Sequence, residues 1–384
     1  MALLLAALDN LGSGLFTVAA FLFVLSIVVV IHELGHFQVA RWCGVDVKEF
    51  AVGFGREIFG WFDSKGTRWR INWIPLGGYV KFMDDANGAS MPDAAAFNKM
   101  NPEERAGSFH AKPLWQRAAV IAAGPIANFI LAIGLLAAIF MTWGVPMTPA
   151  RIDEIVEGGA ADKAGLKAGD LVVAIDGTTI ESFTDLQRVV SGNPDRELKL
   201  TFDRNGKLST VQLTPERKEV PDGFGGKMRQ GMLGIKRAAA PANWTYKRYG
   251  PLEAVGLGVS ESYYFVERNL SYMRDVIVGR EKADQLGGPI RIADVAGKVA
   301  SAGIVPLLHL TAMISVSVGL FNLFPIPPLD GGHLLFYAAE AVRRRPLSES
   351  VQGVGFRVGL AFILMLAVFA FWNDLSIVKR WLGG

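Results

Sequence analysis

Only one cysteine, Cys43, occurs in 384 residues, so the chain cannot close an intrachain disulfide or build a Cys-based zinc ribbon. Excess charge is scarce as well. The formal net charge is +3 and the Lys and Arg residues are dispersed, which argues against a nucleic-acid partner. No Lys or Arg stands ahead of the first apolar run, so the basic region of a cleavable signal peptide is missing and that run is expected to stay in the protein. Internal repeats and low-complexity tracts are absent. Charged residues make up 20% of the chain against 51% apolar, a balance outside that of ordinary soluble domains.

Four uncharged runs explain the apolar excess: Asn10–Ile31, Ala118–Thr142, Val299–Leu329 and Val358–Asn373. Each can supply a helix of the roughly 20 residues needed to cross a bilayer, the last being lengthened by a snorkelling Arg357. Charged residues crowd into Trp143–Lys298 between the apolar flanks. Basic residues near the span ends set the orientation. Arg343, Arg344 and Arg345 follow the third span, and the segment after the first runs from Arg41 to Lys112. These loops are expected to be cytosolic, with both termini and the 143–298 region outside.

The chemistry begins where the first span stops. Val28, Val29, Val30 and Ile31 lead directly into His32, Glu33, Leu34, Gly35 and His36. Two histidines four residues apart share one helix face, so both imidazoles can bind a single Zn²⁺ while Glu33 reaches the water it activates as general base. Ionisable groups cost several kcal/mol inside a span, and three of them together point to function. A catalytic zinc takes three protein ligands, so a third must come from elsewhere. Asp330 is the candidate, at the end of Asn322-Leu323-Phe324-Pro325-Ile326-Pro327-Pro328-Leu329-Asp330-Gly331-Gly332. Its prolines cannot continue a helix and its Gly pair allows a tight return. Irregular backbone at membrane depth is tolerated where it is buried or lines a watery cavity. His333, His309 and His110 are poorer candidates, and a plain helix-ending turn at Asp330 is the bland alternative.

Together, HELGH at 32–36 and NLFPIPPLDGG at 322–332 resemble the site-2 protease family of intramembrane zinc metalloproteases, in its bacterial regulated-intramembrane-proteolysis (sigma-E pathway) branch with PDZ domains. Gly53-Phe54-Gly55, the 74–81 run Ile-Pro-Leu-Gly-Gly-Tyr-Val-Lys, and Gly124, Pro125 and Asn128 extend the likeness over nearly the whole chain. The resemblance implies that His32, His36 and Asp330 bind zinc, that Glu33 activates water, and that Asn322 contacts the substrate backbone or the oxyanion. Gly124 and Asn128, from the helix-two motif, join Asn322 as expected substrate-binding residues.

The polar middle has its own signature. Strands are expected at 151–157, 170–177, 197–203 and 209–214, with short helices in 158–169 and at 183–190 and turns at Asp176-Gly177 and Arg204-Asn205-Gly206. With its AGLKAGDLVVAIDG run at 164–177, this stretch resembles a PDZ domain, which captures extended peptides or C-terminal carboxylates at a sheet edge. The Gly231–Ile235 segment is expected to supply a carboxylate loop or an ordinary closing strand. There is room for one such domain. Beyond it, Val255, Val259, Tyr263, Val266, Leu270, Met273 and Ile277 mark an apolar helix face, expected to lie on the outer membrane surface or to brace the PDZ domain.

A transmembrane substrate must be locally unfolded before water can attack it, and something has to hold the extended chain. Trp69, Ile71 and Trp73 alternate with Arg68, Arg70 and Asn72, the periodicity of a strand. The expected hairpin would bind substrate through its free edge, with Arg70, Ile71 and Asn72 in contact, the bland alternative being a cytosolic hairpin that covers helix ends. Ala86–Ala106 reads as a polar, mobile loop.

The fold expected is thus a polytopic α-helical membrane protein with four transmembrane helices, a membrane-associated β-hairpin or sheet element and one extracytoplasmic PDZ-like α+β domain. Its segments are 1–40 (first span), 41–114 (cytosolic-side β region and loop), 115–142 (second span), 143–240 (PDZ-like), 241–298 (amphipathic helix and connector), 299–333 (third span and LDG) and 334–384 (connection and fourth span). The activity expected is hydrolysis of peptide bonds in or near the transmembrane segment of single-span proteins, by zinc, in a bacterial inner membrane. By resemblance the substrates are anti-sigma factors or remnant signal peptides, the PDZ domain gating their access from outside and the active site lying near the cytosolic side. Two other functional classes fit the residues less well. An intact Glu33 disfavours a non-catalytic adaptor, and the lack of further carboxylates along spans one, two and four disfavours a metal transporter.

Overall fold

The computed structural model describes residues 2–83, 100–221, 227–236, 245–281, 283 and 286–383. It divides into two compact units: Met1–Ile139 with Leu252–Glu281 and Leu286–Gly384, and Phe140–Pro251 with Lys282–Gln285.

The first unit starts with α1 (Ala2–Trp42), whose uncharged run continues through both histidines. Two long strands follow, β1 (Val47–Phe62) and β2 (Arg68–Phe82). They form more than a simple hairpin. Gly53 and Gly55, at φ +83° and +89°, let β1 bend where a side-chain-bearing residue would be strained. As a result the start of β1 pairs with Gly78–Phe82 on one side and with Arg68–Ile71 on the other, and Arg68–Asn72 pairs in turn with Glu57–Phe62. Four arms lie in the order 57–62, 68–72, 47–52, 78–82. The arm bearing Arg70, Ile71 and Asn72 is therefore interior, which corrects the expectation that it offers a free edge. Among the described residues the edges are 57–62 and 78–82.

A short helix, α2 (Pro102–Gly107), starts at a capping box between Asn101 and Glu104. It replaces the end of the expected 86–106 loop, whose earlier part lies outside the described residues. Then comes α3 (Leu114–Thr142), with Pro125 inside it. Phe37 of α1, Phe50 of β1, Phe82 of β2, Phe109 and Val120 of α3 form one buried core. Phe50 and Phe82 are each 1% exposed, and such rings contribute about 1.5–3 kcal/mol apiece on burial. This core fixes the sheet against the end of α1.

The second unit is α+β. In chain order it holds β3 (Val145–Met147), β4 (Glu154–Ile155), α4 (Ala160–Lys163), β5 (Leu171–Ile175), β6 (Thr178–Thr179), α5 (Phe183–Gly192), β7 (Leu198–Arg204), β8 (Lys207–Leu213), β9 (Glu216–Pro221), β10 (Lys227–Met232), β11 (Ile235–Lys236) and β12 (Thr245–Lys247). Antiparallel strands run β6-β5-β7-β8. Asp176-Gly177 and Asn205-Gly206 all have positive φ, the backbone of two-residue hairpin turns whose twist matches the strands. Ser182 caps α5 through a reciprocal pair with Asp185. The core is Ile152, Val172, Ile175, Leu186, Leu198, Leu200 and Phe202 with their neighbours. This unit covers the stretch expected to be PDZ-like, and within it β12 pairs with β3. Gly231–Ile235 joins the end of β10 to β11, which closes on β4, and β9 pairs antiparallel with β10.

The chain returns to the first unit through α6 (Pro251–Ile277), which buries Ala254, Gly258 and Ser262. A β-carbon on Gly258 would lie 3.0 Å from the Ile133 carbonyl oxygen of α3. The small residues therefore face protein, while Val255, Val259, Tyr263, Leu270 and Ile277 stay exposed. The expected third span is divided: α7 (Pro289–Ser301) ends before Gly303, and α8 (Ile304–Asn322) is the spanning helix. The Pro-rich stretch breaks it, and α9 (Asp330–Arg343) starts at Asp330 itself. Gly331 and Gly332 thus lie in a helical first turn rather than in a bare return. Finally α10 (Glu349–Gly383) carries the last apolar run. Among the described residues, four helices are long and apolar enough to cross a membrane, over Gly12–Trp42, Leu114–Thr142, Ile304–Asn322 and Ser350–Leu375.

Candidate active site

His32 and His36 project from one face of α1 because 3.6 residues per turn stack positions four apart. Their rings meet edge to face, 4.8 Å between centroids. Opposite them the chain must approach closely. A β-carbon at Gly124 of α3 would collide with the His36 ring, and at Gly331 or Gly332 it would collide with the 323–327 backbone. Glycine at these places lets α3 and the start of α9 press against the histidines. The first turn of α9 also suits Asp330, since a helix N-terminus favours a carboxylate.

The resulting triangle is small. His32 Nε2 lies 3.2 Å from His36 Nε2, Asp330 Oδ2 lies 3.1 Å from His32 Nε2 and Asp330 Oδ1 3.5 Å from His36 Nε2. Donors about 2.0–2.1 Å from a tetrahedral zinc stand about 3.3 Å from one another, so the spacing fits that metal. The bonding of the atoms agrees. His36 Nδ1–H donates to the Val120 carbonyl at 2.8 Å, leaving Nε2 bare, and Asp330 Oδ2 is buried without a hydrogen-bond partner. Lone pairs converging on one point call for a cation between them. Among the described residues this is the group of three that could hold a metal ion.

The donors face a cavity of about 120 Å³ that Glu33, Val80, Phe82, Ile121, Asn322, Pro328, Leu329 and His333 also line. It has room for several waters. Glu33 sits beside the 78–82 edge, for a β-carbon on Gly78 would come within 3.3 Å of Glu33 Cγ. His333 packs edge-on to Phe356 and lies outside the ligand triangle.

The expected substrate-binding residues fare differently. Asn322 lines the cavity. Asn128 is wholly buried, with its amide nitrogen 3.1 Å from His32 Nδ1, so it stands behind a histidine rather than in reach of substrate. Gly124 is buried under the rings and offers space, not contact. Arg70 pairs with Glu49 and Glu57 at 3.0 Å each, and Asn72 donates to the Gly53 carbonyl. Both are spent inside the sheet. The sequence reading missed Val80 and Phe82, whose alternation with Tyr79 and Lys81 was the available signal.

Residues 20–366 match Peptidase family M50. The chain belongs to this family. A Rhizobium meliloti protein named "Putative zinc metalloprotease R01501" is 45% identical to this M50 chain over 377 residues, 98% of the chain and 99% of the relative. Metalloprotease MmpA of Caulobacter vibrioides is 39% identical, covering 96% and 98%. The Regulator of sigma-E protease RseP of Salmonella typhimurium is 32% identical, covering 95% and 99%. The PDZ domain of an SdrC-like protein from Listeria monocytogenes, 17% identical with a TM-score of 0.18 over 22% of this chain and 82% of that one, carries no weight beside the strand order already described. The M50 chain is a zinc metalloprotease with a membrane-spanning fold.

Proposed function

We propose that the chain hydrolyses peptide bonds in or near the transmembrane segment of single-span membrane proteins, with His32, His36 and Asp330 holding Zn²⁺ and Glu33 as general base. The observation that carries this is the convergence of three possible ligand atoms, His32 Nε2, His36 Nε2 and an Asp330 carboxylate oxygen, at 3.1–3.5 Å in one cavity with Glu33 and Asn322. Bound zinc supplies Lewis acidity and lowers the pKa of water. The protein's residues do the rest. Glu33 takes the proton of the attacking water at a carboxylate oxygen and returns it to the leaving amine. Asn322 donates its side-chain amide to the carbonyl as charge grows there. An unfolded substrate segment lies along the 78–82 edge, exchanging its lost helical hydrogen bonds for strand bonds. Its side chains on the inner face then lie towards the cavity that Val80 and Phe82 line.

Under this reading the protein resides in a bacterial inner membrane, with the termini and PDZ-like domain outside, as Arg343, Arg344 and Arg345 after the third span support. The PDZ-like domain admits substrates already trimmed outside, or captures a peptide or C-terminal carboxylate. Anti-sigma factors and remnant signal peptides are the substrate classes that fit. The test is cleavage of a single-span reporter by the purified protein, with and without a zinc chelator, beside Glu33→Gln. That variant is expected to keep its zinc and lose about 100-fold or more in rate. Cleavage near the parent rate by Glu33→Gln would overturn the assignment of the base.

A further inference from the structure

His36 has its outward-facing Nε2 fixed by a backbone partner, since Nδ1–H donates to the Val120 carbonyl at 2.8 Å. His32 needs the same service. If His32 binds metal through Nε2, as the proposed function has it, its ring proton must sit on Nδ1, and a buried N–H requires an acceptor. What stands at Nδ1 is the side chain of Asn128, its amide nitrogen 3.1 Å away, while the other end of that amide, Oδ1, is buried with no donor. The two ends of a carboxamide are assigned from their hydrogen-bond network. With nitrogen towards the ring, the amide donates into Nδ1 and forces the proton onto Nε2, among Asp330 Oδ2 at 3.1 Å and His36 Nε2 at 3.2 Å. With the amide turned over, Oδ1 gains the donor it lacks and Nε2 is left bare.

We propose that Asn128 is a positioning residue that accepts a hydrogen bond from His32 Nδ1–H through Oδ1, holding the imidazole with Nε2 unprotonated and aimed at the metal position. The residue is itself held. Ser315 Oγ on α8 donates to the Asn128 backbone carbonyl at 2.8 Å, and a β-carbon on Gly319 would rest 3.3 Å from Asn128 Cβ. Thus α8, the helix that leads to Asn322 and on to Asp330, clamps the residue that orients a histidine of α1. A neutral amide suits the place, because it supplies the acceptor without adding a second negative charge beside Asp330 in a poorly solvated site.

The test measures zinc affinity of the full-length protein in detergent by chelator competition. Asn128→Leu keeps the size and removes the acceptor, and is expected to weaken zinc binding about 10–100-fold. Asn128→Asp keeps the acceptor and is expected to bind as the parent does or more tightly. Equal losses in both variants would mean a packing role only and overturn the proposal, as would parent-like binding by folded Asn128→Leu. Should the Leu variant not fold, [¹⁵N]histidine NMR of the zinc-loaded parent decides. The His32 resonance, assigned from His32→Gln, is expected to show a protonated Nδ1, and a protonated Nε2 overturns the proposal. A parent chain that binds no zinc overturns the ligand reading and this inference together, whereas zinc binding indifferent to Asn128 overturns the inference alone.

Discussion

Asp330 Oδ2 lies 3.1 Å from His32 Nε2, although His32 lies within the first span and Asp330 opens a helix beyond the third. Removing the carboxylate separates a ligand from a helix start. Asp330→Ala leaves two imidazoles, so zinc content is expected to fall far below that of the parent, as for His36→Ala, with cleavage lost. Zinc stoichiometry on protein that runs as the parent does in gel filtration is the measurement. Full occupancy in Asp330→Ala would remove Asp330 from the site and leave His333, which lines the same cavity, as the next residue to test.

Arg70 is expected to act on stability rather than on substrate affinity. Its guanidinium sits between Glu49 and Glu57, and Tyr79 donates to the same Glu49 carboxylate at 3.0 Å. This ladder ties together the four arms of the sheet. Arg70→Ala takes from the Glu49 carboxylate its arginine and from Glu57 one of two, Arg68 remaining at 2.7 Å from Glu57, a loss of about 1–3 kcal/mol. The expected outcome is a lower midpoint of thermal unfolding, with KM for a reporter unchanged in the fraction that remains folded. A raised KM at unchanged stability would return Arg70 to the substrate.

Which parts of this were legible in the sequence follows from how local each signal is. His32, Glu33 and His36 announce themselves because an uncharged run makes ionisable groups conspicuous, and Asp330 because it ends another such run. The hairpin was legible as strands, but not its order. That order depends on β1 bending at Gly53 and Gly55 and pairing on both sides, which no alternation of Trp69, Ile71 and Trp73 encodes. Asn128 was legible only as a polar residue in an apolar helix. Whether it meets substrate or a histidine depends on which face of α3 turns towards α1. The start of α9 was hidden for a related reason, since Gly331 and Gly332 read as a return when their use is to let the 323–327 backbone pass.

A pH effect is expected in the PDZ-like domain. Burial pushes the Asp170 carboxyl up, but hydrogen bonds from Arg204 and from the Lys167 backbone N–H outweigh it and hold its pKa below the usual range. Arg204 Nε donates to Asp170 Oδ1 at 2.7 Å, and a second guanidinium nitrogen donates to Oδ2 at the same distance. A carboxyl with a lowered folded pKa adds stability that is fully present above its unfolded pKa of about 3.9, and that is lost as pH falls through the folded value. Hydrogen exchange at β7 and β8 in the full-length protein, corrected for its intrinsic pH dependence, should show protection dropping below about pH 4. Asp170→Asn should be less protected at neutral pH and flatter across that range. An identical pH profile in the variant would assign the acid loss to other groups.

Orientation gives the last prediction. Arg343, Arg344 and Arg345 are exposed at the end of α9, and three adjacent guanidinium groups resist transfer across an energised bilayer. The connection between α9 and α10 should therefore be cytosolic and the PDZ-like domain outside. Reporter cysteines in a Cys43→Ser background test this with a membrane-impermeant thiol reagent on intact cells. Lys207 is a suitable outer position, exposed at the start of β8, whereas the neighbouring Gly206 has φ +82° and would be strained by any side chain. Ser348, exposed ahead of α10, is the inner one. Lys207→Cys should be labelled without permeabilisation and Ser348→Cys only after it. The opposite pattern would put the PDZ-like domain in the cytosol, and a gate on substrates trimmed outside could then no longer be its role.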